Sequence, residues 1–199
     1  AWTGKAKDIR REGKPLKDYV EAFERFGTKE CPPIPKYLEP AEFLGNAKPG
    51  QVHVVSPHPF MRVHSQMANA ECAKHLNIQG REFALVSEED ARERGVKDGD
   101  LIEVYNERGA LIVGARVSPN IMKGVISIYE GAWLSKDSKG RCNSGAINVL
   151  TTSVAASDLS QATSANTCLA HFRKCTDVEG PNRAYEPPPV QTTTSRVEA

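Results

Sequence analysis

Residues 56–66, "SPHPFMRVHSQ", concentrate hydrogen-bonding side chains directly after the apolar stretch "QVHVV". They include two histidines, an arginine, two serines and a glutamine. Arginine and histidine suit a pyrophosphate, whereas neutral amides recognise the edge of a heterocycle through paired donors and acceptors. Residues 142–151 and 157–167 are also dense in small polar side chains, and the three segments contain few acids. Together they indicate binding of a large polar cofactor rather than acid–base catalysis.

Other site chemistries find less support in the sequence. A zinc site built on His58 and His64 would need two further ligands, and no cysteine or acidic cluster at suitable spacing supplies them. The chain contains neither G-x-S-x-G nor G-x-x-x-x-G-K, which argues against a serine hydrolase and a phosphate-binding loop. Its five cysteines form no C-x-x-C pair. We expect His53, His75 and His171 to be structural.

The elements that must position the polar segments are mostly short strands. From Gln51 onward, short apolar runs alternate with turn residues. An "NERG" sequence at 106–109 predicts a hairpin turn, and Asp100 is expected to bond backbone N–H groups in the turn before its strand. The predicted strands are 51–56, 101–106, 110–118, 124–131, 147–151 and 168–175. A barrel closed by such strands leaves no open edge.

One helix is well marked, at residues 87–95. Ser87 is placed to cap its N-terminus, Asp90 follows three residues later, and Gly95 ends it. The sequence therefore predicts a mainly β domain with short helices.

Composition separates this domain from its flanks and excludes some function classes. We predict a lead-in segment at 1–44, with a short helix at 18–27 and a Pro-rich strap at 31–43, then the barrel at 45–175 and a flexible tail at 176–199.

The net charge is +1 and no long Lys/Arg run occurs, so no nucleic-acid partner is predicted. The apolar stretches are too short for a membrane span, and the first residues lack the apolar core of a signal peptide. A start without Met suggests processing or a piece of a longer chain.

The order of several motifs resembles the C-terminal domain of molybdopterin oxidoreductases. Within that superfamily it is similar to the dimethyl sulfoxide and trimethylamine N-oxide reductases and biotin sulfoxide reductase. The resemblance runs from about Cys31 to Cys175 and implies a six-stranded double-psi β-barrel that caps a bis(molybdopterin guanine dinucleotide) molybdenum cofactor. The motifs are "CPPIPKYLEPAEFLGN", "SPHPFMRVHSQM", "DARERGVKDGDLIEVYNERG", "IMKGVISIYEGAW", "INVLT" and "LSQATSANT".

The same resemblance implies which side chains contact the pterin and its phosphates. None of them is expected to do chemistry or to bind the metal; they would hold the cofactor and tune it by hydrogen bonds. The implied ligands are His58, Arg62, His64, Ser65, Gln66, Asn148, Ser164 and Asn166.

The implied activity is reduction of N-oxides or S-oxides by oxygen-atom transfer. The chain would act only with an N-terminal catalytic portion or large subunit, which carries the molybdenum ligand and the substrate site. The resemblance favours a periplasmic over a cytoplasmic location.

Two alternatives stay open. One is the same domain of another molybdopterin oxidoreductase, such as a formate dehydrogenase, nitrate reductase or hydroxytransferase. The other is a double-psi barrel acting as an interaction module without cofactor.

Overall fold

The computed structural model describes residues 37, 39–155 and 167–187. Two compact units are distinguished, one formed by 1–41 with 153–165 and the other by 42–152 with 166–199. The second unit contains the barrel. The predicted helix at 18–27, residues 31–36 of the strap, and the predicted ligands Ser164 and Asn166 lie outside the described residues.

Six strands form a closed barrel in the order β1-β5-β2-β4-β3-β6. The β1·β5 and β2·β4 pairs are parallel, and the other four neighbouring pairs are antiparallel. This confirms the predicted fold class, a mainly β six-stranded double-psi barrel with short helices. The strands are β1 Val52–Val55, β2 Phe83–Ser87, β3 Leu101–Asn106, β4 Gly109–Ser118, β5 Val125–Ile128 and β6 Thr167–Lys174.

The interior of the barrel is filled by every second residue of its strands. Because successive strand residues point to opposite faces, these positions form one contiguous apolar core. Representative members, all fully or almost fully buried, are Val52, Val54, Ala84, Val86, Ile102, Val104, Leu111, Val113, Ile126, Ile128, Ala170 and Phe172.

Two strand predictions were wrong. The sequence reading missed β2, because both of its faces are largely buried and "FALVS" therefore shows no alternation. Residues 147–151 were predicted as a strand, yet Ile147–Val149 form a 3-10 helix. The chain pairs with β4 only briefly, through Cys142, and then turns away at Gly145, where φ is +93°.

The helices are short, as predicted. A 3-10 helix spans Leu44–Asn46, α1 spans Glu71–Lys74 and α2 spans Glu88–Glu93. The predicted cap of α2 is confirmed, since the Asp90 backbone N–H donates to the Ser87 hydroxyl at 3.1 Å. The predicted hairpin is also confirmed by the β3–β4 register. None of the helices in the described part of the chain is long and apolar enough to cross a membrane.

The turn before β3 is organised by Asp100, as predicted. Its carboxylate accepts hydrogen bonds from the Lys97 backbone N–H and from the Lys174 ammonium, each at 2.8 Å. The bond from Lys174, followed by that from Lys97, lowers the pKa of Asp100. The role of Asp100 is therefore structural.

Residues 176–187, the described part of the predicted tail, bond to the barrel. The Asp177 carboxylate accepts from Arg141 at 3.0 Å, and the Gly180 carbonyl accepts from Arg81 at 2.8 Å. Residues 188–199 lie outside the described residues. The boundaries at 44 and 175 and the flexibility of the tail remain predictions.

Candidate functional site

The polar segment after β1 meets the segment after β5 at one edge of the barrel. Because β1 and β5 are parallel and Val55 pairs with Ser127, their carboxyl ends lie side by side. Residues 56–66, here named the polar loop, follow β1, and residues 129–134 follow β5. The predicted strand at 124–131 ends earlier, at Ile128, so residues 129–131 belong to this edge.

His58, His64 and Glu130 form a compact cluster at this edge, here named the His–Glu cluster. The Nδ1 atoms of His58 and His64 lie 2.6 and 2.7 Å from the same oxygen, Glu130 Oε1. The two imidazole rings contact edge to face with centroids 4.9 Å apart. The histidine side chains are 73% and 67% exposed, and that of Glu130 is 26% exposed. The two predicted histidines are thus brought together by a carboxylate that the sequence reading did not single out.

Arg62 is buried beneath the polar loop rather than presented to solvent. Its guanidinium Nη2 lies 2.6 Å from Glu82 Oε2, and the two side chains are 5% and 2% exposed. The same nitrogen donates to the Glu130 carbonyl oxygen at 2.5 Å. Arg62 therefore joins the polar loop to the start of β2 and to the segment after β5. Its predicted contact with cofactor phosphates remains a prediction.

Backbone contacts fix the path of the polar loop. The Trp133 indole N–H donates to the Ser65 carbonyl at 2.7 Å, and the Glu130 N–H donates to the Pro57 carbonyl at 3.2 Å. Gly131, with φ +88°, packs so closely that a Cβ there would lie 2.0 Å from the His64 carbonyl oxygen. His64 itself has φ +50°, a left-handed conformation that costs a non-glycine residue about 1–2 kcal/mol. Surrounding contacts must hold such a backbone in place.

The other predicted ligands in the described residues are exposed and available. Ser65 and Gln66 are exposed in the polar loop, and Asn148 is exposed on the Ile147–Val149 turn. Within the described part of the chain, their side-chain polar atoms make no hydrogen bond. Asn148 lies beside the β3–β4 hairpin, where the Val149 carbonyl approaches Gly109. The strand pairings put that hairpin and the polar loop at the same end of the barrel.

The sequence reading missed the two acids that organise this end, Glu82 and Glu130. Glu82 precedes a strand that lacks alternation, and Glu130 was placed inside a longer strand. Their partners lie 20 and at least 66 residues away in the sequence. An acid at the end of a strand was the available signal, but it becomes informative only once the parallel neighbours are known.

Tyr185 and Ser144 contact Trp133, the residue whose indole bonds the polar loop. Tyr185 packs on Trp133 with ring centroids 5.5 Å apart. Burial, followed by the charge of Glu82, raises the pKa of Tyr185. The Ser144 hydroxyl donates to the Trp133 carbonyl, and the Ser144 carbonyl accepts from the Glu82 N–H at 3.2 Å. Residues 142–146 thereby belong to the same framework as the polar loop.

The residues at this end suit a large polar ligand. Two buried groups of the polar loop, Ser56 Oγ and Arg62 Nε, have no hydrogen-bond partner within the described residues. Buried polar groups normally have one, so two orphaned groups in one loop favour a ligand with acceptor atoms. Exposed imidazole, hydroxyl and amide groups add the donors and acceptors that a phosphate-bearing heterocycle would use.

Comparisons with known proteins agree with this chemistry. The family described as "Molydopterin dinucleotide binding domain" matches residues 52–169. The chain is 36% identical over 162 residues to trimethylamine-N-oxide reductase of Haemophilus influenzae, covering 78% of this chain and 20% of that protein. It is 39% identical over 161 residues to the dimethyl sulfoxide/trimethylamine N-oxide reductase of Cereibacter sphaeroides, again covering 78% and 20%.

A solved structure supports the fold. Acetylene hydratase from Pelobacter acetylenicus superposes with a TM-score of 0.61 at 18% identity, over 79% of this chain and 23% of that one. The chain spans about one fifth of the length of the curated relatives described above. With the family matched over most of the barrel and polar groups gathered at one end of it, the chain belongs to the molybdopterin dinucleotide-binding domain family.

Proposed function

We propose that this chain caps a bis(molybdopterin guanine dinucleotide) molybdenum cofactor in an enzyme that reduces N-oxides or S-oxides. Support comes from the reductases that it resembles along three quarters of its length. The match covers only 20% of each of those relatives, so the activity, the substrate and the molybdenum ligand are assigned to a partner portion or large subunit. A periplasmic location is part of the same proposal.

The observation that carries the proposal is the arrangement of the polar loop. Its backbone is fixed from below by the buried Arg62–Glu82 pair and from the side by Trp133 and Gly131. Within the described residues, the exposed side chains of Ser65 and Gln66 make no hydrogen bond, and those of His58 and His64 bond only to Glu130 through Nδ1. A fixed backbone that presents polar groups able to bond a ligand is the arrangement expected for a preorganised binding site.

His58, His64, Ser65, Gln66 and Asn148 would hold the cofactor. In each imidazole the Nδ1–H points to Glu130, which leaves Nε2 for a ligand. A carboxylate behind an imidazole fixes its tautomer and ring orientation, as carboxylates do behind metal-bound histidines. When bound, the molybdenum centre would supply the oxygen-atom transfer.

The proposal is tested by molybdenum content in the complete enzyme. We expect His64→Ala and Ser65→Ala to lower the molybdenum per polypeptide. A hydrogen bond to a charged group contributes about 1.5–3 kcal/mol, or about a ten- to hundred-fold change in affinity. His75→Ala is the matched control, because His75 is exposed at the C-terminal end of α1. Full occupancy in both loop variants, with earlier melting of the cofactor-free forms, would make the loop structural and refute its binding role.

A second experiment tests the assignment of the reaction to the partner portion. We expect the 199-residue chain, supplied with cofactor, to show no oxidation of reduced viologen with trimethylamine N-oxide or dimethyl sulfoxide. The reason is that the reacting groups are assigned to the partner portion. Sustained turnover by the isolated chain would contradict that assignment.

A further inference from the structure

We propose that His58, His64 and Glu130 form a site for a divalent ion of the zinc class when the chain is free of cofactor. This inference does not rest on the proposed function, since it needs only side chains that the structure already brings together. In the sequence, His58 and His64 have no cysteine or acidic cluster at suitable spacing to complete a zinc site. The barrel supplies a third ligand from beyond β5.

The distances suit an ion after small rotations of exposed side chains. One ligand atom from each residue can be chosen so that all three lie within 4.8 Å of one another. Around a tetrahedral ion with bonds of about 2.0–2.2 Å, ligand atoms are roughly 3.3 Å apart. The two present contacts between Nδ1 and Glu130 Oε1, 2.6 and 2.7 Å, would therefore widen by about 0.6 Å, and the proton of each imidazole would stand on Nε2 instead of Nδ1. Both histidines are mostly exposed, so no buried packing opposes this adjustment.

The chemistry of the set selects the type of ion. Two imidazoles with one carboxylate suit zinc and neighbouring transition metals, whereas magnesium and calcium prefer oxygen ligands. With neutral imidazoles, the three side chains carry one negative charge, which favours a cation. Within the described residues, Arg62 is the only arginine that bonds to Glu130; it contacts the Glu130 carbonyl and is paired with Glu82.

The site would be open and partly preorganised. Three protein ligands leave a fourth position for water, as at catalytic zinc sites. The carboxylate already orients both rings, and the polar loop that carries them is fixed by Trp133 and Gly131. The proposed cofactor contacts use Nε2 of the same rings, so a metal at Nδ1 would change the tautomer and the orientation that those contacts need.

Other ligands must be removed before the test. Cys72 lies on α1 and His75 follows the last residue of α1; both are exposed and could bind zinc together. Cys31 lies outside the described residues. The background protein is therefore the full chain with Cys31→Ser, Cys72→Ser and His75→Ala. Cys142, Cys168 and Cys175 are buried and stay unchanged.

The experiment is calorimetric titration of this background protein with zinc chloride and, separately, with magnesium chloride. We expect one zinc ion per chain, no magnesium binding, and a zinc-dependent rise in melting temperature. His58→Ala, His64→Ala and Glu130→Gln should each weaken zinc binding at least about ten-fold, the lower end of the loss seen even for residues behind metal ligands.

Controls separate loss of the site from loss of the fold. The metal-free melting temperatures of His58→Ala and Glu130→Gln should stay close to that of the background protein, because the His58 side chain is 73% exposed and glutamine keeps the size of Glu130 and an oxygen that accepts hydrogen bonds. Absence of zinc binding in the background protein would overturn the proposal. So would unchanged zinc affinity in the variant that carries all three substitutions. Neither result would bear on molybdenum content in the complete enzyme.

Discussion

Removal of Arg62 should destabilise the barrel far more than removal of a surface cation. Arg62 and Glu82 are 5% and 2% exposed and 2.6 Å apart. In Arg62→Met, Glu82 keeps its charge in a buried position without an ion-pair partner, which typically costs about 3–5 kcal/mol. At about 2–4 °C per kcal/mol for a chain of this size, the melting temperature should fall by roughly 6–20 °C.

A double-mutant cycle tests that reasoning. In Arg62→Met/Glu82→Met, neither charge remains buried, and replacing a buried pair by apolar side chains is often neutral or stabilising. We therefore expect the double variant to recover most of the lost free energy of unfolding, measured by urea unfolding monitored by circular dichroism. Lys123→Met is the control, since Lys123 pairs with Glu93 at an exposed position and should leave stability almost unchanged. A loss below about 1 kcal/mol in Arg62→Met, or a coupling energy near zero, would refute the buried-pair argument.

The same cycle distinguishes two roles for Arg62 in the complete enzyme. If Arg62 only holds the polar loop, the stable double variant should regain much of the molybdenum content that Arg62→Met loses. If Arg62 contacts phosphate directly, the double variant should be stable yet deficient in molybdenum. The second outcome would restore the contact predicted from the sequence.

Two other perturbations test the loop and the core. Gly131→Ala should lower the free energy of unfolding by about 1–3 kcal/mol more than Gly140→Ala, since both have positive φ but only Gly131 would clash with the His64 carbonyl. Equal losses in urea unfolding would contradict that packing. Burial lowers the pKa of His53, so the unfolded chain binds more protons below about pH 6.5 and stability should fall as the pH decreases from there. His53→Gln should flatten this slope in unfolding measured from pH 7.5 to 5.5. An unchanged slope in this variant would refute the assignment.

Local signals in the sequence predicted local structure well. The Ser87 cap, the hairpin at 106–109 and the Asp100 turn each depend on residues a few positions apart, and all three are confirmed. The strand at 83–87 was not predicted, because the alternation of apolar and polar residues disappears when both faces of a strand are buried. The prediction of a strand at 147–151 was wrong because the chain turns away from β4 at Gly145. A run of apolar residues does not reveal such a turn.

The site was predictable only in part, for a related reason. Residues 56–66 stand out by composition, so His58 and His64 could be singled out without a structure. Glu130 could not, because its proximity follows from the parallel pairing of β1 with β5. Sequence also shows that Arg62 is charged but not that it is buried, and burial separates a framework residue from a free ligand.

The position of the permanent positive charge of Arg62 affects how this end of the barrel could bind an anion. Arg62 is the only predicted ligand with a permanent positive charge, and Glu82 neutralises it below the loop. The predicted ligands exposed in the described residues carry imidazole, hydroxyl or amide groups. In the proposed function these groups would recognise a phosphate or pterin edge through short, directional hydrogen bonds, whereas a cluster of exposed arginines would attract anions over about 10 Å at moderate ionic strength. Selectivity would then depend on the position of the loop backbone, and so on the buried ion pair between Arg62 and Glu82.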